Sequence, residues 1–492
     1  MRTAGEGQAM KLNIAAIAGA GLLLLSACAQ PPATPDAIEP NPSTRSAEAL
    51  ALSLSEAIRF ETISEMGNPD ASRAEFDAFR DWLAASFPLV HARMAPEDIL
   101  HGSLWYTLEG TNPALDPIVI LAHQDVVPVE PGTEDQWVYP PFSGTIADGY
   151  VWGRGTLDMK GFLVMAVAAM ETLLEEGFTP ERTIHIGFGH DEEVGGTGAV
   201  AMAERLEAQG RRAWFVLDEG GTSIETFPMT GGPVGLIGVG EKGFLSVEIT
   251  ARARGGHSSS PPPETAIGLL SRAINAIVDN PFEHRIDHPV PDMMRALAPE
   301  MDGMAGFVMA RPVLFGSVLR GQMMEDDATR ATIGTTIAPT IITGGTVANV
   351  LPQEARAIIN LRLHPRDSAE SALAHMRGAV SHLDGVTIEP VGRISDAPPI
   401  SATSGRAWEI IAGAAVSHLP DGAPVVPNLL TAATDSRAFK DVADHIYRYA
   451  PMRMEMDDLS RIHGDNERIR IDALPGMVSY FRTVIHEAGM EG

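Results

Sequence analysis

Apolar residues recur along this chain with two distinct periods. Short continuous or alternating apolar runs at 103–108, 117–122, 182–189 and 213–217 predict strands, and the unbroken run at 117–122 predicts a central, doubly covered one. Between them the spacing becomes helical. Leu50, Leu54, Ala57 and Ile58 predict a helix over 47–60, and Phe76, Phe79 and Leu83 predict one over 75–87. Further helices are predicted over 162–175 and 198–209. Strands alternating with helices define an α/β domain with a largely parallel sheet flanked by helices.

After Gly240 the pattern changes. An amphipathic alternating strand over 243–251 is followed by a helix over 264–278, a strand over 357–363, a helix over 368–380 and a strand over 386–391. Strands with two helices on one side predict an inserted α+β, ferredoxin-like lid domain at 242–398. Within it, 281–330 reads as irregular, rich in Pro and Met. Helices over 406–418 and 471–488 return the chain to the first domain, which therefore comprises 47–241 and 399–492.

The 492 residues suit two domains of unequal size, and 45% hydrophobic with 20% charged residues is globular. The net charge of −28 argues against nucleic acid as a partner, since little would neutralise phosphates. Cys28 is the single cysteine, so internal disulfides and Cys-rich metal sites are excluded. Any metal must be held by His, Asp and Glu.

Met10-Lys11, the apolar run 12–25 and Leu25-Ser26-Ala27-Cys28 read as a signal peptide over 1–28, too short to span a bilayer. The Leu-Ser-Ala-Cys pattern resembles a bacterial lipoprotein signal, with Cys28 lipidated and the protein an outer-membrane lipoprotein facing the periplasm. Ala27-Cys28-Ala29 also fits ordinary cleavage to a soluble periplasmic form. Contact with a membrane is then expected only through the anchor. Residues 29–46, rich in Pro, Ala, Ser and Thr, are expected to be a disordered tether.

Several apolar strands end in polar clusters. His123-Gln124-Asp125 follows 117–122, His190-Asp191-Glu192-Glu193 follows 182–189, and Asp218-Glu219-Gly220-Gly221 follows 213–217. The carboxyl ends of strands are where open α/β sheets place ligands. Asp158 lies at a loop-to-helix junction, where it could equally cap the helix. Together these residues supply much of what a two-metal hydrolytic site needs. Calcium, which prefers oxygen ligands, suits a set containing histidines poorly.

Taken in order, His123-Gln124-Asp125, Gly153-Arg154-Gly155-Thr156-Leu157-Asp158, Asp191-Glu192-Glu193-Val194-Gly195-Gly196, Asp218-Glu219-Gly220, Gly256-His257-Ser258, Asn349-Val350-Leu351-Pro352 and His463-Gly464 resemble the aminoacylase/carboxypeptidase S family of co-catalytic zinc peptidases. Thr434-Asp435-Ser436-Arg437 and the stretch His463 to Arg468 look most like its Gly-Xaa carboxypeptidase and N-acyl-amino-acid hydrolase branch. Met159 departs from that branch, which often carries a second Asp there.

The resemblance implies two zinc ions, one held by His123, Asp158 and Asp218, the other by Asp158, Glu193 and His463. Asp158 would bridge them, Asp125 would orient His123, and Glu192 would be the general base and acid. His257, Asn349 and Arg362 would approach from the lid, Arg362 on the substrate carboxylate, with Arg437 as a second carboxylate contact. The implied substrates are small peptides or N-acyl amino acids, and a homodimer is possible in the family. The competing reading is a catalytically silent, lipid-tethered peptide-binding protein, against which Glu192 argues because a binder needs no general base.

Overall fold

The computed structural model describes residues 35–420 and 422–490. The signal segment and Cys28 lie outside them. Following the chain, the strands of the first sheet that position the site begin with β1 (Ser103–Leu108), β2 (Ile118–His123), β3 (Ile184–Gly189), β4 (Ala213–Asp218) and β5 (Val234–Glu241). A second, four-stranded antiparallel sheet holds β6 (Gly243–Arg252), β7 (Thr336–Gly344), β8 (Glu354–Leu363) and β9 (Val386–Ser395), in the order β7-β8-β6-β9. The chain then returns to the first sheet with β10 (Val425–Leu430) and β11 (Ala443–Arg448).

The first sheet runs β1-β3-β2-β4-β11-β5, with β10 beside β5. Its central pairs β3–β2, β2–β4 and β4–β11 are parallel. The carboxyl ends of β2, β3 and β4 therefore lie side by side, and the polar clusters predicted from the sequence converge on one edge of the sheet.

Helices α1 (Ala47–Ile58), α2 (Arg73–Ser86), α3 (Lys160–Glu175) and α4 (Thr197–Ala208) belong to this domain. Helices α5 (Ala266–Val278) and α6 (Ala369–Ala379) pack on the second sheet, and α7 (Arg406–His418) and α8 (Leu474–Gly489) close the first domain. Helix α3 is buried from Lys160 to Leu174, because it is apolar nearly all round and packs against the sheet, α1 and α8. Phe162 meets Phe481 edge-on at 4.7 Å, and truncating it to Ala costs about 3–5 kcal/mol. The one cation in that helix, Lys160, donates to the carbonyls of Ala57 (3.3 Å) and Phe60 (2.6 Å) at the end of α1. The buried amine is thereby satisfied.

Two expectations are corrected. The segment 281–330 is not irregular: short helices form at Val290–Leu297, Gly303–Met309, Pro312–Met323 and Asp327–Thr332. Four of its five prolines sit at helical starts, where a missing N–H costs nothing, so they punctuate helices and do not abolish them. Ala296 and Leu297 pack on Val234 and Val426 of the first sheet. The second correction concerns the tether. From Asp36 onward the chain is docked, with Ile38 N–H donating to Gly413 O (3.3 Å) and Asn41 Oδ1 accepting from Arg482 Nε (3.0 Å). One apolar side chain and one amide suffice to seat a segment that has no periodic pattern. Among the described residues, no helix is long and apolar enough to cross a membrane.

Candidate active site

His123 is the last residue of β2 and almost wholly buried. Its Nδ1–H donates to the Asp125 carbonyl at 2.9 Å, with Asp125 Oδ1 at 3.3 Å. That fixes the ring and turns Nε2 into the site. Asp125 also ties two loops together. Its carboxylate accepts from Glu192 N (3.2 Å), Glu193 N (3.1 Å) and Ser64 Oγ (2.6 Å). Asp125 thus orients both the histidine and the loop that carries the paired glutamates.

That loop is shaped by Asp191. Its carboxylate accepts from Thr197 N, Thr197 Oγ1 and Gly198 N at 2.6–2.9 Å, capping α4, and its carbonyl accepts from the amides of Gly195 and Gly196. Gly196 adopts φ +67°, and an added Cβ would lie 2.5 Å from Asp435 Oδ1, so no other residue fits that corner.

Asp158 lies between two histidines. Its Oδ1 is 2.9 Å from His123 Nε2 and its Oδ2 is 3.1 Å from His463 Nε2. Glu219 Oε1 lies 3.3 Å from His123 Nε2, and Glu193 Oε2 lies 3.0 Å from His463 Nε2. The described residues therefore form two triads that could each hold a metal ion, His123/Asp158/Glu219 and Asp158/Glu193/His463, sharing Asp158.

Here the sequence expectation needs one correction: Asp218 is not in the cluster, and Glu219 takes its place. Asp218 ends β4, and its carboxylate is consumed by the amides of Ser436 (2.8 Å) and Glu219 (2.9 Å). Glu219, one residue past the strand, is free to turn toward His123.

Charge crowding follows from this packing. Burial, with Asp158 adding to it and His123 opposing, pushes Glu219 up to about 8. Burial and the charge of Asp435 raise Glu192 well above the usual carboxylate range. Hydrogen bonds to Asp158 and Glu193 hold His463 up to about 10. For His123, burial is outweighed by hydrogen bonds to Asp125, Asp158 and Glu219, which keep it well above its ordinary value. Carboxylates that need a cation, and imidazoles standing in for one, are the chemistry of a metal site.

Glu467 underpins the shared ligand. Fully buried, it accepts from Arg154 Nη1 (2.8 Å), Gly155 N (3.0 Å), Leu157 N (2.7 Å) and Asp158 N (3.1 Å). The His463 loop is held from the other side. Asn466 Oδ1 accepts from Val138 N (2.6 Å), Asn466 Nδ2 donates to Gln136 O (2.9 Å), and Arg154 Nη2 donates to His463 O (3.2 Å). The sequence expectation gave Glu467 no role, although it lies four residues after His463 in a quoted motif.

The remaining residues fall into two groups. Arg437 follows Asp435 in the turn after β10, and its Nη2 is 3.6 Å from where a Cβ on Gly196 would stand. Arg362, on β8, stacks over Phe244 at 5.1 Å, and burial and the charge of Arg437 lower its pKa. A third arginine, Arg393 on β9, donates to the Gly195 carbonyl and feels the charges of Arg437, Asp435 and Glu192. His257 and Asn349, by contrast, sit exposed on a small antiparallel ribbon of the second domain. Ser258 N donates to Asn349 O (3.1 Å), and His257 Nδ1 pairs with Ser259 Oγ (2.8 Å). Neither has a hydrogen bond to the carboxylate cluster.

An α/β sheet with two carboxylate–histidine triads at its strand ends, under an arginine-bearing second domain, defines a metal-dependent hydrolase. Comparison with known proteins gives the family. The model of peptidase family M20/M25/M40 matches residues 119–487, and the chain belongs to that family. It is 34% identical over 442 residues to a probable carboxypeptidase S-like 2 of Dictyostelium discoideum, covering 89% of this chain and 84% of the relative. It is 33% identical to the N-fatty-acyl-amino acid synthase/hydrolase PM20D1 of Xenopus tropicalis, covering 89% and 86%. It is 30% identical to carboxypeptidase S of Saccharomyces cerevisiae, covering 87% and 81%. The fold matches an M20 family metallo-carboxypeptidase from Sulfolobus solfataricus with a TM-score of 0.61 at 17% identity, covering 89% of this chain and 98% of that one. The protein is a metallopeptidase-type hydrolase of amide bonds.

Proposed function

We propose that this protein is a two-zinc hydrolase that cleaves the amide bond next to a free carboxylate, in N-acyl amino acids and small dipeptides. One observation carries the metal count: the two oxygens of Asp158 face two different histidines, each with its own further glutamate. The donor set of nitrogen and carboxylate oxygen suits zinc. Bound ions would supply Lewis-acid polarisation of the scissile carbonyl and acidify water at the site.

Glu192 is the proton carrier. Its backbone is fixed by Asp125, and its side chain belongs to neither triad, so its carboxylate is free to take a proton from attacking water and pass it to the leaving amine. Arg362 and Arg437 are the groups for the substrate carboxylate, for which a planar guanidinium offers a forked contact. The names of the relatives, an N-fatty-acyl-amino acid hydrolase and carboxypeptidase S, support both substrate types.

The test is chelation followed by zinc titration, with amine release from a panel of N-acyl amino acids and dipeptides. Activity should return with two equivalents of zinc, and Glu192→Gln should bind both yet turn over at least a hundredfold more slowly. Full activity without metal overturns the assignment, and inactivity of the wild type across the panel favours the silent peptide binder. We also place the mature chain at the cell envelope through lipidated Cys28, on the strength of Leu25-Ser26-Ala27-Cys28. Radiolabelled palmitate incorporated by the wild type and not by Cys28→Ser is the expected result. A homodimer through the second domain is part of this proposal, with the exposed His257 and Asn349 as its motive, and analytical ultracentrifugation tests it.

A further inference from the structure

The turn Thr434-Asp435-Ser436-Arg437 meets the metal cluster through a backbone amide, Ser436 N, which donates to Asp218 Oδ2 at 2.8 Å. That bond keeps Asp218 off the cluster and leaves Glu219 beside His123. The turn is held in place by a buried network behind it.

Thr434 and Ser436 are both buried, and so is Glu241, the last residue of β5. Glu241 Oε2 accepts from Thr434 N (3.0 Å), from Thr434 Oγ1 (3.2 Å) and from Nε of Arg448 at the end of β11 (3.0 Å). The Thr434 hydroxyl has a single proton. Given to Glu241, it leaves an acceptor for Ser436 Oγ, 2.6 Å away. Arg448 Nε, 3.4 Å from Thr434 Oγ1, favours the same direction, because it too needs an acceptor there. Donation therefore runs from the Ser436 hydroxyl to the Thr434 hydroxyl to the Glu241 carboxylate.

Glu241 is a rigid anchor for this chain of bonds. It ends a central strand and is paired with a fully buried guanidinium. It is followed by Lys242, whose Nζ donates to Ala331 O (3.0 Å) and Gly334 O (2.8 Å) of the second domain. The crossing between the domains is thus pinned on both sides, and the Thr434 hydroxyl carries that rigidity to Ser436.

We propose that Thr434 is a positioning residue for the metal site. Its hydroxyl, seated on the Glu241–Arg448 pair, fixes Ser436 so that the amide occupies Asp218 and Glu219 is left to bind the ion. The inference rests on Glu219 as a ligand. Without the Thr434 hydroxyl, the buried Ser436 hydroxyl loses its acceptor and must turn toward another, which loosens its amide from Asp218. A released Asp218 then competes with its neighbour for the same ion.

Thr434→Val keeps the shape and the backbone donor and removes the hydroxyl, whereas Thr434→Ser keeps the hydroxyl. In the metal-free, full-length protein, amide hydrogen exchange at Ser436 should quicken about tenfold or more in Thr434→Val and stay within about threefold of the wild type in Thr434→Ser. Zinc competition against a chromophoric chelator should show affinity lowered about tenfold or more in Thr434→Val and restored in Thr434→Ser. The double variant Thr434→Val/Asp218→Asn separates positioning from general damage. If a released Asp218 is the cause, the loss measured against Asp218→Asn alone should shrink to less than about threefold. Unchanged exchange at Ser436, zinc affinity not restored by Thr434→Ser, or a full loss in the Asp218→Asn background would each overturn the proposal. A wild type that binds no zinc refutes the metal assignment instead, and exchange at Ser436 still decides whether Thr434 holds the turn.

Discussion

Removing the Glu467 carboxylate should unseat the shared ligand Asp158 from a distance. In Glu467→Ala the guanidinium of Arg154, 2% exposed, loses its buried counter-charge, and three backbone amides lose their acceptor. Breaking one side of a buried pair costs about 3–5 kcal/mol. Each orphaned amide adds about 1–3 kcal/mol where water cannot reach it, though the terms are not additive. A loss of about 5 kcal/mol is a large part of the roughly 5–15 kcal/mol that holds a typical domain, so this variant should be at the edge of folding. Glu467→Gln is the more informative change. Its remaining oxygen can still serve Leu157 and Asp158, but its amide nitrogen faces two donors, Arg154 Nη1 and Gly155 N. About 2–3 kcal/mol should be lost, with the fold intact. Urea denaturation gives the first number, as a lowered midpoint at unchanged slope. Zinc competition against a chromophoric chelator gives the second, with affinity reduced at least tenfold because the Asp158 backbone is no longer pinned. If Glu467→Gln matches the wild type in both measurements, the network does not position the ligand.

Three further outcomes follow from the geometry. Glu219→Ala should remove about one equivalent of bound zinc, whereas Asp218→Asn should keep both and lose about 1–2 kcal/mol of stability through its contacts to Ser436 and Glu219; metal analysis distinguishes them. Arg362→Ala should lower kcat/KM for carboxylate substrates about 10- to 100-fold, chiefly through KM, and leave the matching methylamides unaffected. His185, 4% exposed and stacked on Trp105 at 4.7 Å, is held down to about 4 by burial and then by the charge of Arg211. The unfolded chain therefore binds the proton first as pH falls. The stability is fully present above pH ~6.5 and lost progressively toward pH ~4, by up to about 3 kcal/mol. His185→Phe should flatten that part of the pH–stability curve.

Much of the fold was legible because periodicity reports burial directly. The helix expected over 406–418 is the helix found, and that expected over 198–209 differs by one residue at each end. Periodicity fails where an element is short or where packing is asymmetric. Proline hid two of the four short helices in the second domain, since a residue that breaks a helix inside also starts one at its edge. The docking of Ile38 and Asn41 needed no pattern at all, only a complementary surface on α7 and α8, and a surface made elsewhere in the chain leaves no mark on the segment it receives.

The site shows the same limit at finer scale. The strand-end clusters mark His123 and Glu193, because parallel strand ends gather whatever follows them, whereas Asp158 and His463 lie in loops and entered the set through the family resemblance. Choosing between neighbours is a different problem. Asp218 and Glu219 are adjacent carboxylates, and only the direction of each side chain decides which one faces a metal. That direction depends on where β4 ends and on the turn at 434–436, over two hundred residues away, whose Ser436 amide claims Asp218. Once Asp218 is claimed, the longer side chain beyond the strand is the one left to reach His123. The same logic divides Glu192 from Glu193: Asp125 holds both amides, and His463 takes the second carboxylate, leaving the first for proton transfer. In both pairs the function of an acid is set by which partner its neighbour has already taken, so exchanging Asp218 and Glu219 should abolish activity even though composition and charge are unchanged.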